Sequence, residues 1–344
     1  MIGLIFGKFA PFHMGHAYLI QEAMKQCTTL LVVVSYDQKF NDSLPDVLKG
    51  RMTLDKRIKH IQEYVNENIV GHVRVTYVDE THLAPYPYGW PHYQQMIKDK
   101  SMEHFAFHPD IIFSSEDRYD EKLKEYFPNT RHVVIDNDRT NVNISATEIR
   151  NDIYGNWEYL PYSVRKDYTF KVCVIGTESC GKTTLCQKLA EHFNTDFVPE
   201  FGRIYVEQNL DGNELDLIYE DYSLIANTHK FMIDEQCNKG EMITIIDTNA
   251  LITGFYQLLY EGSIDPIVED YIKKESYDLV LYLDDDVPWV DDGMRMSGDD
   301  REYTKKLLWD LILQYGVNPT IINGNYEERY DRALDIINQN IGEK

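Results

Sequence analysis

Short apolar runs alternate along the chain with longer stretches in which hydrophobic residues recur at a helical period. This alternation is typical of parallel β-sheets whose strands are connected by crossover helices. The runs fall into two sets, and each run predicts a strand: 2–6, 29–35, 73–78 and 111–114 in the first set, and 170–175, 242–246 and 279–283 in the second. We therefore predict an α/β protein with two mainly parallel sheets.

A segment without sustained period separates the two sets. Residues 151–167, NDIYGNWEYLPYSVRKD, are rich in Tyr and Trp and also contain Gly and Pro. A chain of 344 residues exceeds the size at which one hydrophobic core keeps growing, so two domains are expected from length alone. We place the domain boundary in this segment and predict domains at 1–160 and 161–344.

Charge and cysteine content narrow the class of protein. The formal net charge is −23, and no basic arm or stripe is present, so binding to a nucleic-acid backbone is not expected. The five cysteines are odd in number and form no CxxC pair, which indicates reduced thiols and a cytoplasmic enzyme. Lys8 interrupts the apolar start of the chain, so we expect neither a signal peptide nor membrane insertion.

The first strand runs directly into GKFAPFHMGH, residues 7–16. Gly7 allows a close turn at the strand end, and Gly15 begins a helix whose free N–H groups and positive dipole end favour a phosphate. His13 and His16 lie three residues apart, so both imidazoles can face one small volume. Imidazole N–H donors there suit attack on the α-phosphorus of a nucleoside triphosphate, where negative charge develops on oxygen.

Two further segments complete the predicted first site. In ISATEIR, Ser145 and Glu148 fit a capping box, and the same helix start would place Arg150 within reach of a triphosphate. In APYPYGW, residues 84–90, the aromatic and backbone-restricted sequence suits a flat cationic ring, with Trp90 as the predicted contact. An aromatic surface loop packed on its own domain explains the second segment equally well.

The second half carries a phosphate-binding loop. Residues 176–183, GTESCGKT, follow a predicted strand and precede a helical pattern, which is the context that such a loop needs. Its amides are expected to hold the ATP phosphates, Lys182 to bridge the β and γ oxygens, and the Thr183 hydroxyl to bind Mg²⁺. Asp247, at the end of an apolar run, is the predicted acidic partner of that metal. The predicted ATP contacts of this half are Gly176, Glu178, Ser179, Cys180, Gly181, Lys182, Thr183, Thr184 and Arg295.

A kinase also needs an acceptor-binding carboxylate and a cationic lid. Glu200 and Arg203, in PEFGR, are predicted to bind the acceptor, although an exposed ion pair would give the same pattern. The segment PWVDDGMR has the composition of a lid, with Trp289 placed to cover a ring and Arg295 to reach a phosphate. An acidic surface turn is the competing interpretation of that segment.

The segments GKFAPFHMGH and ISATEIR resemble the HxGH and ISxTxxR motifs of a nucleotidyltransferase superfamily that transfers AMP or CMP to phosphate-containing acceptors. This resemblance implies that His13 and His16 stabilise the triphosphate in the transition state. It implies ATP-binding roles for the other residues of the two motifs: Gly7, Lys8, Phe9, Ser145, Thr147 and Arg150. The motifs leave the acceptor open, because the superfamily also adenylates phosphopantetheine and cytidylates glycerol phosphate.

The whole chain resembles the bifunctional NadR family, which joins a nicotinamide-nucleotide adenylyltransferase to a ribosylnicotinamide kinase. GKFAPFHMGH, PYPYGW, PDIIFSSED, ISATEIR, NWEYLP, GTESCGKTT, PEFGR, IIDT and PWVDDGMR occur in the family's order. The resemblance implies a Rossmann-like adenylyltransferase domain followed by a P-loop kinase domain. It also implies ATP, ribosylnicotinamide and nicotinamide mononucleotide as substrates, Mg²⁺ as metal and NAD as product.

Two departures from the family pattern matter. Some members begin with a helix-turn-helix region, whereas this chain begins on the first predicted strand, so we do not expect it to repress transcription. After Asp247, the stretch Thr248-Asn249-Ala250 lacks the family's usual second acidic residue. Two other functions stay open: an adenylyltransferase for another acceptor fused to another kinase, and a non-catalytic NAD and ATP sensor. The sequence also leaves open a homo-oligomer and a riboside transporter as partner.

Overall fold

The strands form two five-stranded parallel sheets, one in each half of the chain. The computed structural model describes residues 1–85, 87–106, 108–284 and 301–342. Its contacts divide the chain into two compact units, Met1–Tyr168 and Thr169–Lys344. The predicted fold class, two α/β units with parallel sheets, is confirmed.

The sheet of the first unit has the strand order β3-β2-β1-β4-β5. Its strands are β1 (Ile2–Gly7), β2 (Thr29–Tyr36), β3 (His72–Asp79), β4 (Ile111–Ser114) and β5 (Arg131–Val134). Its helices are α1 (Met14–Met24), α2 (Gln38–Asp42), α3 (Asp46–Lys49), α4 (Leu54–Asn68), α5 (Trp90–Phe105), α6 (Asp120–Tyr126), α7 (Ala146–Asn151) and α8 (Tyr162–Tyr168).

Helices cover both faces of this sheet, which explains why its central strands are apolar at successive positions. Ile5 and Val32 pack on one face with Ile20, whereas Leu4 points to the other face and packs with Ile97. A strand buried on both sides cannot alternate apolar and polar residues, so β2 reads as the run TLLVVVSY. The chain order reverses between β1 and β4, and ligands of open parallel sheets bind at the carboxyl ends beside such a point.

The sheet of the second unit has the order β10-β9-β6-β8-β7, and all of its pairs are parallel. Its strands are β6 (Phe170–Ile175), β7 (Phe197–Val198), β8 (Ile243–Asp247), β9 (Leu279–Leu283) and β10 (Thr320–Ile322). Its helices are α9 (Lys182–His192), α10 (Phe201–Asn209), α11 (Asp221–Cys237), α12 (Ala250–Glu261), α13 (Pro266–Lys274), α14 (Arg301–Gln314) and α15 (Tyr326–Ile341). Short 3₁₀ helices occupy Asp117–Tyr119, Trp157–Tyr159 and Glu214–Asp216.

Each of the seven apolar runs lies on a strand, whereas the edge strands β5, β7 and β10 lie outside these runs. Their sequences are RHVV, FV and TII. With at most four residues each, they leave no periodicity to read. An edge strand has a neighbour on one side only, so its residues stay partly exposed and need not be uniformly apolar. Within the described ranges, no helix combines the length and apolar character needed to cross a membrane.

The structure divides the chain after α8, whereas the sequence-based boundary falls between 160 and 161. Val164 and Tyr168 on α8 are fully buried in the core of the first unit. Asp167 accepts from His60 of α4 at 2.8 Å and lies 3.1 Å from Lys56 Nζ. The aromatic segment before α8 has no helical period, so sequence pattern does not reveal which core receives this helix.

We expect a fragment of residues 1–168 to unfold at higher urea concentration than a fragment of residues 1–160. The shorter fragment loses the buried side chains of Val164 and Tyr168, each worth about 1.5–3 kcal/mol, or roughly 3–6 kcal/mol together. Urea denaturation followed by circular dichroism measures the difference. A fragment ending at residue 172 serves as control and should match 1–168. Equal midpoints for the two shorter fragments would contradict the assignment of α8 to the first core.

Candidate active sites

His13 and His16 lie together where the chain turns from β1 into α1. Their ring centroids are 3.8 Å apart, and Phe9 packs under His16 at 4.8 Å. His13 is the N-cap of α1, and its Nδ1 accepts from the backbone N–H of Gly15 at 3.1 Å. A neutral His13 must then carry its proton on Nε2, so the ring presents an N–H donor on the side away from the helix.

Gly15 is required by this cap. A Cβ atom at position 15 would lie 2.9 Å from Cε1 and 3.0 Å from Nδ1 of His13, closer than real side chains pack. The sequence interpretation expected free amides for a phosphate at the helix that Gly15 begins, but in this structure the Gly15 amide donates to His13. Gly7 differs, because a Cβ there would meet only the Phe9 ring, at an ordinary 3.7 Å.

Both imidazoles are uncharged. Burial is the main cause and lowers the pKa of His13 to about 3, with smaller contributions from Arg139 and Arg150. Burial also lowers the pKa of His16, to which the neighbouring His13 and Arg139 add. Nδ1 of His16 is buried and has no hydrogen-bond partner in the described part of the chain. The two rings are therefore neutral hydrogen-bonding groups. The positive charge that can meet a triphosphate here comes from the neighbouring Arg139 and Arg150.

The second predicted segment reaches the same place. Ser145 is the N-cap of α7: its hydroxyl accepts from the Glu148 N–H at 3.2 Å and donates to the Glu148 carboxylate, so the predicted pair caps the helix. Arg150 donates to the carbonyl of Ala10 at 2.6 Å and to Thr147 Oγ1 at 2.8 Å. The capping interpretation and the phosphate interpretation are therefore compatible. The fold brings the two signatures, at opposite ends of the unit, into contact.

Three cations surround the ring of Phe40 in α2. Lys8 Nζ lies 4.9 Å from the ring centroid, Arg150 Cζ 5.3 Å and Arg57 Cζ 5.6 Å. Arg57 is 1% exposed, and its Nε and Nη1 have no partner among the residues that the structure describes. Sequence reasoning missed Arg57, Arg139 and Phe40. No motif marks these three residues, because they lie outside the two signature segments. Only the fold brings them close to those segments.

A cavity of about 640 Å³ opens at the carboxyl ends of β1, β2 and β3. This volume suits a nucleotide-sized ligand. Gly7 and Lys8 form one part of its wall, and Lys8 Nζ lies 3.0 Å from Glu80 and 3.6 Å from Asp37. The predicted phosphate contact Lys8 is thus held by two carboxylates. Phe9, also predicted to bind ATP, is 2% exposed as a whole residue and packs in the core, so the structure does not present it to the cavity.

Trp90 begins α5 and lines the same cavity. Its ring stacks on Tyr119 with centroids 5.6 Å apart and planes 10° from parallel, and it lies 5.7 Å from Tyr93. The Tyr93 hydroxyl is hydrogen-bonded to Ser35 at 2.5 Å. Trp90 is therefore part of a rigid aromatic wall. Trp90 both lines the cavity and packs on its own domain, so the pyridine contact stays a prediction and the loop-packing alternative stays open.

In the second unit, the phosphate-binding loop turns between β6 and α9 through residues with positive φ: Gly176 at 153°, Ser179 at 53° and Gly181 at 88°. Such turns direct successive N–H groups inward and form an anion-binding concavity. A Cβ at Gly176 would lie 2.7 Å from the Leu283 carbonyl oxygen, so glycine is required there. Lys182 is 6% exposed, and its Nζ donates to the Thr177 carbonyl across the loop at 2.9 Å.

A buried arginine that sequence reasoning missed holds this loop in place. Arg329 of α15 is 2% exposed and donates to the carbonyls of Cys180 at 2.6 Å, Asp284 at 2.7 Å and Gly324 at 2.8 Å. The Cys180 thiol donates to the Thr177 carbonyl at 3.0 Å inside the loop. The Cys180 side chain is thus buried and stabilises the loop by a hydrogen bond within it. Thr184, the last predicted ATP contact of this segment, is exposed on α9.

Asp247 ends β8 beside the loop, and Thr183 Oγ1 donates to its Oδ2 at 2.5 Å. Its other oxygen, Oδ1, is buried without a hydrogen-bond partner in the described ranges. Burial and the neighbouring Glu200 raise the pKa of Asp247 to about 6, against the opposing effects of Lys182, Thr183 and Arg203. The structure therefore brings the predicted residues of PEFGR to Asp247.

A second cavity adjoins this group, between α10, α11 and α12. Its wall includes Glu200, Arg203 and Thr248. Thr248 has a φ of 67°, and Asn249 caps α12 by accepting from the Ile252 N–H at 3.2 Å. Where the family usually has a second acidic residue, this chain thus has Thr248 in the cavity wall and Asn249 as a helix cap. The predicted lid, with Trp289 and Arg295, lies outside the described residues.

Comparison with known proteins agrees with this arrangement. Residues 4–152 match the family described as Cytidylyltransferase-like, and residues 171–329 match the AAA domain family. Two curated relatives are each called "Trifunctional NAD biosynthesis/regulator protein NadR". The protein from Escherichia coli strain K12 is 32% identical over 348 residues, and the one from Salmonella typhimurium strain LT2 is 32% identical over 351 residues. Each match covers 100% of this chain and 84% of the relative.

Two solved structures are similar over the whole chain. One is a NadR protein in complex with NR, with a TM-score of 0.81, and the other a NadR protein in complex with NAD and AMP-PNP, with a TM-score of 0.80. Both are 26% identical in sequence, and both alignments cover 100% of this chain and 96% of the solved one. At this coverage the similarity extends to both units.

We expect Asp247→Asn to stabilise the nucleotide-free protein at pH 8. The wild-type pKa is raised from about 3.9 when unfolded to about 6 when folded, so the folded state binds the extra proton between these values. The free energy of unfolding therefore falls as pH rises through this window. An amide has no such dependence, and the variant should gain about 2–3 kcal/mol above pH 7 and little near pH 4.

Urea denaturation of wild type and variant at several pH values between 4 and 8 measures this difference. The exposed Asp335→Asn on α15 is the matched control and removes a carboxylate without burial. An Asp247→Asn protein no more stable than wild type at pH 8 would contradict the burial argument.

Proposed function

Because this chain belongs to the NadR family, we propose that it carries out two successive reactions of NAD synthesis. The second unit phosphorylates ribosylnicotinamide to nicotinamide mononucleotide with ATP. The first unit adenylates the mononucleotide with a second ATP and releases NAD and pyrophosphate. One observation carries the proposal: each unit holds a separate anion site at the carboxyl end of its central strand, β1 with His13 and His16, and β6 with Lys182.

In the kinase reaction, the 5′-hydroxyl oxygen of the riboside attacks the γ-phosphorus of ATP. The bond from that phosphorus to the β–γ bridging oxygen breaks, ADP leaves, and the hydroxyl proton passes to a base. Glu200 lines the acceptor cavity next to Asp247 and is the carboxylate that we assign to bind this hydroxyl and take its proton. Lys182 would exchange the Thr177 carbonyl for the β and γ oxygens.

The residues beside the loop fit Mg²⁺. Thr183 Oγ1 and the buried, unpartnered Oδ1 of Asp247 are hard oxygen ligands, which Mg²⁺ prefers. Bound with ATP, the ion would neutralise charge on the β and γ phosphates. No cluster of three or more His, Cys, Asp and Glu residues suited to a metal occurs among the described residues. Substrate phosphates are then expected to supply further metal ligands, as is usual for Mg²⁺.

In the adenylyl transfer, a phosphate oxygen of nicotinamide mononucleotide attacks the α-phosphorus of ATP. The bond from the α-phosphorus to the α–β bridging oxygen breaks, and pyrophosphate leaves with its electron pair. No protein nucleophile and no proton transfer are needed, so the site has only to position and stabilise charge. The His13 Nε2–H, the His16 ring and Arg150 supply donors for that purpose.

The cytoplasmic location, the homo-oligomer and the riboside transporter suggested from the sequence stay predictions. The sensor alternative predicts no turnover at all, and the alternative with another acceptor predicts turnover of another phosphorylated compound. Incubating the purified chain with ribosylnicotinamide and Mg-ATP, with product identification by mass spectrometry, separates all three. Formation of NAD supports both assigned activities.

We expect His16→Ala and Lys182→Ala to separate the two reactions. With ribosylnicotinamide and ATP, His16→Ala should accumulate mononucleotide, because its adenylyl transfer falls by about 10²–10³. Lys182→Ala should make neither mononucleotide nor NAD from the riboside, yet should convert added mononucleotide to NAD at the wild-type rate. Liquid chromatography of the products reads out both steps.

The matched controls are His72→Ala, at an exposed residue of β3, and Lys188→Ala, at an exposed residue of α9. Both should behave as wild type. Loss of both activities in either active-site variant, with folding intact by circular dichroism, would contradict the assignment of one reaction to each unit.

We expect Trp90→Ala to raise the KM for nicotinamide mononucleotide about tenfold, because stacking of an aromatic ring on a cationic one is worth roughly 1–2 kcal/mol. Trp90→Phe should retain most of the affinity. The KM for ATP serves as the internal control and should change less. Tyr88→Ala, at a side chain 80% exposed in the same segment, is the matched variant. An unchanged KM for the mononucleotide in Trp90→Ala would exclude Trp90 from its binding site.

A further inference from the structure

Besides Ser223 Oγ, helix α11 carries two buried polar atoms that have no hydrogen-bond partner in the described ranges. They are Nε2 of His229 and the hydroxyl oxygen of Tyr222, whose side chains are 2% and 1% exposed. Both residues line the cavity between α10, α11 and α12 that adjoins Glu200. Neither belongs to a motif, and neither is used in the reaction described above.

The hydrogen-bonding capacity of each atom is defined. The His229 ring is bonded to Pro199, which has no N–H, so the ring must donate to the Pro199 carbonyl. Since Nε2 has no partner, Nδ1 carries that proton and Nε2 presents a lone pair. Burial lowers the pKa of His229 to about 4, so the ring stays neutral near pH 7. Burial raises the pKa of Tyr222, so its hydroxyl keeps its proton and can donate.

A ligand is the simplest partner for both atoms. A buried polar group left unpaired costs about 1–3 kcal/mol, and proteins seldom keep two in one cavity without use. The complementary ligand offers a donor to His229 and an acceptor to Tyr222. The cavity volume of about 40 Å³ corresponds to roughly three water positions, which matches a polar group of about three heavy atoms.

The surroundings favour a ring that carries positive charge and no negative charge. Leu217, Ile225 and Tyr256 give the cavity apolar and aromatic walls. Two carboxylates, Glu200 and Glu214, line it against one guanidinium, Arg203, so its charged lining is net negative. Glu261, Glu214 and Asp221 also act electrostatically on Tyr222. A carboxylate entering this cavity would meet like charge and the lone pair of a neutral imidazole. A pyridinium ring with an uncharged substituent meets neither penalty.

We infer that His229 and Tyr222 bind the carboxamide of the pyridine riboside and select the amide over the corresponding acid. This inference rests on the proposed kinase function. A primary carboxamide has an N–H donor for Nε2 of His229 and a carbonyl acceptor for the Tyr222 hydroxyl, joined in one planar group of three heavy atoms. The carboxylate of ribosylnicotinate lacks the donor and adds a negative charge. His229 and Tyr222 are thus specificity-determining residues, and Glu200 keeps the role of base.

The first test compares ribosylnicotinamide with ribosylnicotinate as substrates of the full-length protein. The rate of ADP formation gives kcat/KM for each riboside. No mononucleotide is added, so the product of the kinase reaction is the only adenylyl acceptor present. The wild-type protein should prefer the amide by more than about a hundredfold, because the acid leaves Nε2 unpaired. Comparable values for the two ribosides would overturn the inference while leaving the kinase function intact. Turnover of neither riboside would overturn the proposed function, and the inference with it.

The second test uses variants on α11. His229→Leu and Tyr222→Phe remove the acceptor and the hydroxyl, and each should lower kcat/KM for the amide about tenfold or more while changing that for the acid little. His229→Gln can donate to Pro199 and still present an acceptor oxygen, so it should restore most of the preference. Tyr271→Phe is the matched control, since it deletes a hydroxyl bonded to Asn227 on another side of α11.

The ratio of the two specificity constants separates a specificity role from a structural one. A variant that only destabilises α11 lowers both constants by the same factor and leaves the ratio at its wild-type value. The same result is expected if His229 binds a ribose hydroxyl, because both ribosides have the same ribose. An unchanged ratio in both His229→Leu and Tyr222→Phe would therefore overturn the assignment to the carboxamide.

Discussion

The tight turn from a central parallel strand into the following helix is the constraint on which both sites depend. At that point several backbone N–H groups face the carboxyl end of the sheet, and they must be satisfied without blocking an anion. The first unit uses the ring of His13, which accepts from Gly15. The second unit uses positive φ at Gly176 and Gly181, with Arg329 holding the outer carbonyls.

The charged groups of both sites are held by protein partners, which a phosphate ligand would replace. Lys8 lies against Asp37 and Glu80, and Lys182 donates to Thr177. Such contacts keep the cations in place at modest cost, since they are exchanged and not simply broken when phosphate binds. The same local arrangement explains how a protein of net charge −23 binds anions. A few positioned donors decide the potential inside the site, whereas net charge acts on the whole surface.

The buried titratable groups are of two kinds. Some hold the backbone in place with all their nitrogens, and others keep one nitrogen available for a further hydrogen bond. Arg329 is buried with all three of its donating nitrogens bonded to carbonyls, so its role is to hold the loop. His13 also has a structural bond, but its second nitrogen stays available. His229 repeats that pattern on α11, with one nitrogen on Pro199 and the other toward the acceptor cavity. A fixed tautomer with one open nitrogen is thus a common element of the two units.

The residues alone predicted the features that are local in sequence. The fold class, seven strands and the family all followed from apolar runs and from motifs in which Gly, His or Lys stand at short fixed spacings. The edge strands β5 and β10, and the core that receives α8, could not be predicted, because short or aperiodic segments are specified by what they pack against. Arg57, Arg139, Arg329, Tyr222 and His229 were missed for a related reason. Their roles arise from burial and from partners far away along the chain, and only the tertiary structure brings those partners together.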